Sequence, residues 1–501
     1  MIAIPTDPST GGLAAQLARL RTQVSDLLMT LMPPSTRTPA EVSRLLASDD
    51  LRDEPCALPD GSVVRILYLD SLVPRKRLMQ EVLEPLSAGS VARGRLPAAR
   101  TAKSDRSIVR RLLDGEVAVV RATGAAYTVP VQGLAGRAVA EPSTEKAILG
   151  PKEGFVERIS TNLGLVRRRL KDPNLRVHTY VIGRRSRTRV ALIYVADVAP
   201  RRLVRRIEHG LSTISVDFIR SSMDIGELLF GKSWTPFPLS EQTERPDRVA
   251  NALALGRIAF LVDGTPFALV VPVTLLEFQK DSDGDLQGPV VVSFVRTLRM
   301  LGVVGAVTVP GLYVALVSVN VAVLPLPLAL ALNTARVALP YPALTETLII
   351  LLMVDILAEA TVQAASSVGN TLAIVGTLII GQMMVQAHLV STLMLTVTAI
   401  TVMGSFMTLR FSFSYGMRIW KYAVVLLAAF GGMVGWFTGI LVLVVHLASL
   451  KSAGVPYLAP FGPMNLRDLA QYGLVQPSKG AIKRRPRMWS PRDVVRSRVR
   501  R

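Results

Sequence analysis

The run Ile258-Ala-Phe-Leu-Val-Asp-Gly-Thr-Pro-Phe-Ala-Leu-Val-Val-Pro-Val-Thr-Leu-Leu276 decides where a soluble region ends and a membrane region begins. Its apolar length is close to the roughly 20 residues that a bilayer span requires. Asp263-Gly264 inside it argues for another reading. Glycine accepts the positive φ of a primed hairpin turn, so the run reads as strand, tight turn, strand. An earlier stretch follows the same plan. Asp105-Arg106 to Gly115, Val117 to Gly124 and Tyr127 to Val131 match Asp247-Arg248 to Gly256, Ile258 to Gly264 and Phe267 to Val273. Both read as helix, glycine cap, strand, turn, strand, so the run is expected to be a hairpin of a globular domain.

A second repeat supports this. Arg65-Ile-Leu-Tyr68-Leu-Asp-Ser-Leu-Val-Pro74-Arg75 aligns without gaps on Ala191-Leu-Ile-Tyr194-Val-Ala-Asp-Val-Ala-Pro200-Arg201. Each copy has an apolar run suited to a buried strand, a loop ending in proline, and a basic helix (Arg75 to Leu86, Arg201 to Leu211). Proline suits a helix start, where its missing N–H is not needed. The expected fold class is an α/β soluble N-terminal region of two related subdomains followed by an all-α polytopic transmembrane bundle. The expected divisions are 1–60 (peripheral, with an amphipathic helix Leu13 to Met32), 61–145, 146–290, 291–450 and a basic tail 451–501. Ala88 to Arg111 reads as a basic linker running into a helix.

Hydrophobic residues make up 50% of the 501-residue chain, and the mean hydropathy is +0.38. The excess lies after Thr297. Thr297 to Leu324 (kinked at Pro310), Ala343 to Ala365, Thr371 to Ala387, Leu389 to Leu409 and Tyr422 to Leu450 are each expected to span. Proline-broken Pro325 to Pro340 reads as re-entrant or interfacial, giving about five or six membrane segments. Arg296, Arg299, Arg410, Arg418, Lys421 and the tail are expected on the cytoplasmic side. Five simple spans would put the tail opposite the N-terminal region. Either Pro325 to Pro340 crosses, or the glycine-rich last segment folds back.

The formal net charge is +21. With spans present and no nucleic-acid module visible, the expected partner of this charge is an anionic lipid surface and not nucleic acid. The lone Cys56 excludes an internal disulfide framework and CxxC metal sites. The opening residues, with Pro5, Asp7 and Pro8, carry no signal-peptide pattern, so the soluble part is expected not to be exported. Only four histidines accompany that cysteine, and no nucleophile triad, cofactor motif or metal cluster stands out, so no enzyme is expected.

Gly226-Glu-Leu-Leu-Phe-Gly231-Lys232-Ser233 matches GxxxxGK[ST], but Pro236 and Pro238 follow where a phosphate-binding helix must begin. It reads as a helix end running into a loop. Asp281-Ser-Asp283-Gly284-Asp285 resembles a calcium loop, but Val292 stands where the final carboxylate is needed, so a solvated loop is expected. Acids inside a span are costly and mark an ion path or a cationic partner. Asp355 and Glu359, one turn apart, are the candidates for an ion path or intersubunit pairing, and Arg336 is the cation available to these acids; Glu346 best fits a charge near a helix end reaching the interface, and with Arg336 it is a candidate intersubunit or structural residue. Ser391, Met394, Thr398, Thr401, Ser405 and Thr408 recur every three or four residues and share one helix face. Two readings of this stripe stay open: a wet pore lining, or close packing with each hydroxyl bonded to a carbonyl of its own helix. Gly369, Gly376 and Gly381 favour close packing of the preceding helix, and His388 falls at a turn.

The chain resembles the A subunits of GerA-type spore germinant receptors. The likeness rests on Thr243-Glu244-Arg245-Pro246-Asp247-Arg248-Val-Ala250, Gly256-Arg-Ile-Ala, and Val262-Asp263-Gly264-Thr-Pro266-Phe267 with Val271-Pro272. Gly150 to Phe155, Thr161-Asn162 with Arg167 to Arg169, Gly183 to Thr188, Gly381-Gln382, Lys451 to Tyr457, Asn465 to Leu469 and Lys483 to Pro486 agree, in collinear order over roughly residues 60–490. The resemblance implies a protein of the spore inner membrane that works with a transporter-like B subunit and a lipoprotein C subunit. It also implies a homo-oligomer, a pentamer by family pattern, that releases monovalent cations when nutrient binds the B subunit. A paralogue of the SpoVAF type, an accessory germination channel, fits the same residues. A non-conducting scaffold and an ATP-driven machine are readings from other classes. Leu351 and Ala358 stand where the family pattern often has an acid and a base, and Asp281 to Gln287 lacks its usual aromatic and charged character.

Overall fold

A computed structural model describes residues 37–59, 61–87, 100–102, 104–121, 126–131, 141–142, 145, 150–230, 234–280, 288–337, 339–363, 381–407, 410–466 and 468–469. The expected helix Leu13 to Met32, the linker before Arg100, Gly231 to Ser233, Asp281 to Gln287, Gly369, Gly376, Thr408 and the tail beyond Leu469 lie outside the described residues. The chain forms two compact units: Met1–Gly231 with Gln242–Val270, and Lys232–Glu241 with Val271–Arg501.

The first unit holds two five-stranded sheets. Their orders are β1-β2-β4-β5-β3 and β6-β7-β9-β10-β8. The first uses Leu51–Ala57, Val63–Leu69, Arg100–Ala102, Glu116–Arg121 and Ala126–Pro130 as β1 to β5. The second uses Leu175–Ile182, Thr188–Val195, Glu241–Thr243, Ile258–Val262 and Ala268–Val271 as β6 to β10. The repeated strands hold equivalent places. β2 pairs antiparallel with β4 from Val64↔Arg121 to Leu67↔Ala118, and β7 with β9 from Val190↔Val262 to Ile193↔Ala259. The run Ile258 to Leu276 forms β9, a turn at Gly264 (φ +88°), β10 and the start of a 3-10 turn Leu275–Gln279.

Strand alternation explains why helices cover both faces of the first sheet. Val64, Ile66 and Tyr68 bury against Leu78, Val82 and Leu86 of the helical stretch Arg75 to Ser87. Leu67 and Leu69 bury on the other face with Ile108 and Leu112 of Asp105–Leu113 and Val42 and Leu46 of Arg37–Leu46. In the second sheet Ala191, Ile193, Val195, Ala259 and Leu261 pack on Leu163 and Val166 of Ile159–Arg169 and Val249 and Leu253 of Pro246–Ala254. Pro74 and Pro200 are the N-caps of the two basic helices.

The second unit is helical. Its described helices include Pro289–Val314, Leu326–Arg336, Ala343–Gln363, Thr392–Phe406 and Phe411–Ser449. Among the described residues two helical segments, Pro289–Val319 and Ser412–Ser449, are long and apolar enough by length and composition to cross a bilayer. The first begins eight residues before the expected Thr297 and keeps Pro310 inside it. It is the hub: its backbone meets that of Thr392–Phe406 at Gly404, where a Cβ would collide with the Gly302 carbonyl.

The last segment turns back on itself. Gly432 has φ 56° and ψ −136°, a non-helical conformation that glycine adopts without a Cβ clash. The rings of Trp420 and His446 lie 5.3 Å apart, whereas a straight helix would separate these positions by about 39 Å. A side chain at Gly435 would collide with the Leu427 carbonyl. The second arm needs a cap for its first N–H groups, and Asn320 Oδ1 accepts from Met433 N at 2.8 Å.

Candidate functional site

Three helices of the second unit place their polar residues around one cavity. Ala343–Gln363 contributes Asp355, Thr392–Phe406 contributes Thr401 and Ser405, and the first arm of the hairpin contributes Arg418 and Lys421. The rest of the lining is mostly apolar. The volume is about 40 Å³, and a water needs about 10–15 Å³ by the same measure, so two or three fit. Asp355 Oδ2 accepts from Lys421 Nζ at 3.0 Å and from Tyr422 OH at 2.5 Å. Arg418 Nε lies 3.9 Å from Oδ1. Lys421 is 6% exposed and Asp355 21%, so both are shielded yet border the cavity. One carboxylate faces two cations, which makes this conformation formally positive.

Three of the cations expected on the cytoplasmic side have carboxylate partners. Arg418 and Lys421, expected to flank the membrane, both turn to Asp355. The helix begins at Phe411, not Tyr422, so Lys421 falls within an apolar helix and needs a partner there. Arg410 is 7% exposed and pairs with Glu241 at 3.1 Å. Spacing alone carried one signal: Arg418 and Lys421 are three apart and share a helix face.

Glu346 is a further correction in this region. It is fully buried and does not reach an interface. Its Oε1 accepts from Ser391 N at 2.7 Å and Ser391 Oγ at 2.6 Å, and its Oε2 from Tyr313 OH at 3.2 Å. Arg336, the cationic partner expected for the acids of this helix, lies 3.8 Å from Glu346. Ser391 is also the N-cap of Thr392–Phe406, accepting from Met394 N. Glu359 stays near the surface, accepting from Tyr415 OH at 3.2 Å and Gln363 Nε2 at 3.1 Å.

Along the polar stripe each described hydroxyl bonds to its own helix. Thr398 donates to Met394 O, Thr401 to Val397 O and Ser405 to Val402 O, at 2.8–2.9 Å. Thr398 and Thr401 are both 3% exposed. Thr401 and Ser405 meet the cavity while bonded in this way; Thr408 lies outside the described residues.

The hallmark residues Glu244 to Arg248, Asp263, Gly264 and Pro266 sit in the first unit, around its second sheet. Pro246 opens the helix Pro246–Ala254 behind the N-cap Arg245. The Arg245 guanidinium, 3% exposed, bonds Asp247 at 2.8 Å and 3.1 Å. Glu244 is buried and its carbonyl accepts from Phe155 N, while Arg248 is half-buried. Asp263 Oδ1 accepts from Ile159 N, the first N–H of Ile159–Arg169, at 3.0 Å. Gly264 N donates to Glu157 O, and Pro266 completes the turn.

A family profile described as Bacillus/Clostridium GerA spore germination protein matches residues 43–488. The chain belongs to the GerA family. Spore germination protein XA of Bacillus anthracis is 32% identical over 422 residues, 81% of this chain and 86% of that protein. Stage V sporulation protein AF of Bacillus subtilis (strain 168) is 30% identical over 388 residues, 77% of this chain and 78% of that protein. The crystal structure of the N-terminal domain of the A subunit of the Bacillus megaterium spore germinant receptor GerK3 is 26% identical, covers 48% of this chain and 94% of that one, and has a TM-score of 0.35. The GerA match spans both compact units, so the cavity residues lie inside the family region.

Proposed function

We propose that this GerA chain is the A subunit of a nutrient germinant receptor and conducts cations across the spore inner membrane. In this reading the two five-stranded sheets with their helices are the two soluble subdomains and 291–450 is a polytopic bundle. The bundle assembles with copies of itself, a pentamer by family resemblance, and with a transporter-like B subunit and a lipoprotein C subunit. The basic tail and the soluble region face the cytoplasm, as the positive-inside rule directs, and meet its anionic lipid surface. Glu346 and Arg336 form a structural pair. The hallmark Glu244, Arg245, Asp247, Asp263 and their neighbours maintain the soluble scaffold. No catalytic role is proposed.

The observation that carries this reading is the cavity where Asp355, Thr401 and Ser405 meet Arg418 and Lys421. A carboxylate held by Lys421 and Tyr422 is closed to a passing cation. Release of that contact would free Asp355, with Glu359 one turn on and the Thr398, Thr401, Ser405 and Thr408 stripe beside it, to line a wet path. Nutrient bound by a partner shifts the balance only by its differential affinity for the open state. The test fills the cavity with apolar side chains. Spores carrying Thr401→Leu with Ser405→Leu are expected to keep normal protein levels and lose nutrient-triggered potassium release. Normal release at normal protein levels would remove the cavity from the path.

Similarity to stage V sporulation protein AF, at nearly the identity seen with protein XA, keeps an accessory germination channel as the second reading. Neighbouring genes separate the two: receptor B and C genes in one case, a stage V operon in the other. A non-conducting scaffold would give no current in planar bilayers, even with partner subunits present.

A further inference from the structure

The segment after the expected phosphate-loop motif has a role that neither the cavity nor the family likeness uses. Lys232–Glu241 belongs to the helical unit, and its described part is fixed against one end of the hairpin. Thr235 Oγ1 and His446 Nε2 are 2.9 Å apart. Phe237 is buried, 5.8 Å from the Phe413 ring and 6.1 Å from the His446 ring. Pro236 and Phe237 also fill the space above Gly416, where a Cβ would lie 2.7 Å from the Phe237 ring. Ser452 Oγ donates to Leu239 O at 2.5 Å, and Glu241 holds Arg410. Directly before these fixed points Trp234 stands out completely exposed, at 103% of its reference surface.

A bare indole next to so firmly held a segment needs an environment. Phe413 opens the first arm and His446 nearly closes the second, so the segment lies at the level where both arms end. Arg410 and Lys451 flank the same level in sequence, and Lys232 is two residues from Trp234. Apolar arms capped by cations and an exposed tryptophan are what a membrane–water boundary selects, since the indole ring suits the apolar side and its N–H the headgroups. We infer that Trp234 is an interfacial anchor that seats the Thr235–Pro238 segment in the headgroup layer of the bilayer and fixes the depth of the hairpin. The inference rests on the helical unit being immersed in lipid, as proposed above.

The test uses the full chain reconstituted in vesicles whose acyl chains carry bromine at shallow or deep positions. The chain has four tryptophans, Trp234, Trp420, Trp436 and Trp489. One variant keeps only Trp234 and another only Trp436, which lies in the second arm beside the exposed Phe437 and so reports immersion by itself. Trp234 is expected to emit blue-shifted from its value in water and to be quenched more by shallow than by deep bromines, with Trp436 also quenched by lipid. Lipid quenching of Trp436 with Trp234 quenched only by aqueous iodide would overturn the anchor and leave the membrane reading standing. Lipid quenching of neither would overturn both. Should the multiple replacements unfold the chain, the difference between wild type and Trp234→Phe gives the same readout: the shallow-quenched, blue-shifted component must disappear.

Discussion

Two carboxylates, one buried in the first unit and one half-buried in the second, pair with cations in different ways. Asp50 in the first unit accepts from Arg167 Nε and Nη2, both at 2.7 Å, and from Ser48 and Ser71 hydroxyls at 2.7 Å. Arg167 is fully buried and Asp50 8% exposed, with no described cavity beside them. The pair joins the loop before β1 to the helix Ile159–Arg169, and nearby Thr179 N donates to Asp49. Asp355 in the second unit has fewer donors, a second cation standing off at 3.9 Å, and room for water beside it. Saturation of its carboxylate makes the first pair a rivet between the two sheets. Incomplete coordination beside a cavity leaves the second less firmly held, which is why it is the contact proposed to open.

The largest expected effect is at the rivet. Arg167→Met leaves Asp50 buried without its cation, and breaking a buried pair from one side costs about 3–5 kcal/mol. Denaturant unfolding of the detergent-solubilised chain should show this loss, with low protein levels in spores. Asp355→Asn is the contrasting change. Cavity water can serve Lys421, so the expected loss is that of a hydrogen bond to a charged group, about 2 kcal/mol, while potassium leaks from spores without nutrient. An equal loss of stability in the two variants would erase the distinction, and a stable, tightly closed Asp355→Asn would remove the latch.

The smallest effect is a pH slope. Burial alone raises the Asp50 carboxyl, but the Arg167 charge and the hydrogen bonds from Arg167, Ser48 and Ser71 outweigh it and hold the group below the usual carboxylate range. The folded state therefore binds this proton less readily than the unfolded chain. Its stabilisation is complete above the unfolded pKa of about 4 and is lost as pH falls through the lower folded value. Melting temperature should drop with acid in the wild type. In Arg167→Met the sign reverses, since an unpaired buried carboxyl is better tolerated protonated, so the deficit of the variant should shrink as pH falls.

The central strands of both sheets were legible, but residues 1–60, expected to be peripheral, supply β1 and the helix Arg37–Leu46 to the first sheet. Strand period, Asp263-Gly264 and the gapless match of Arg65 to Arg75 with Ala191 to Arg201 are local signals, and local signals survive in one sequence. The ion pairs were not legible, because their partners are distant along the chain. Ser391 and Tyr313 reach Glu346 from 45 and 33 residues away, and Lys421 reaches Asp355 from 66. Counting flanking charges assigned Lys421 by its neighbours in sequence, whereas packing assigned it by depth. The stripe from Thr398 to Ser405 was legible as a face, but periodicity cannot tell whether hydroxyls look outward or bond back. The turn at Gly432 stood among the two alternatives that the charge pattern left open, and only its φ and the meeting of Trp420 with His446 choose it.

That reversal also fixes a parity. In the proposed membrane bundle the two arms would traverse the bilayer in opposite senses and cancel, so whatever compartment holds the residues before Phe411 would also hold those after Ser449. A membrane-impermeant reagent should therefore label cysteines placed near Arg410 and near Lys451 from the same side. Straightening the bend would carry everything downstream of it out through the opposite leaflet.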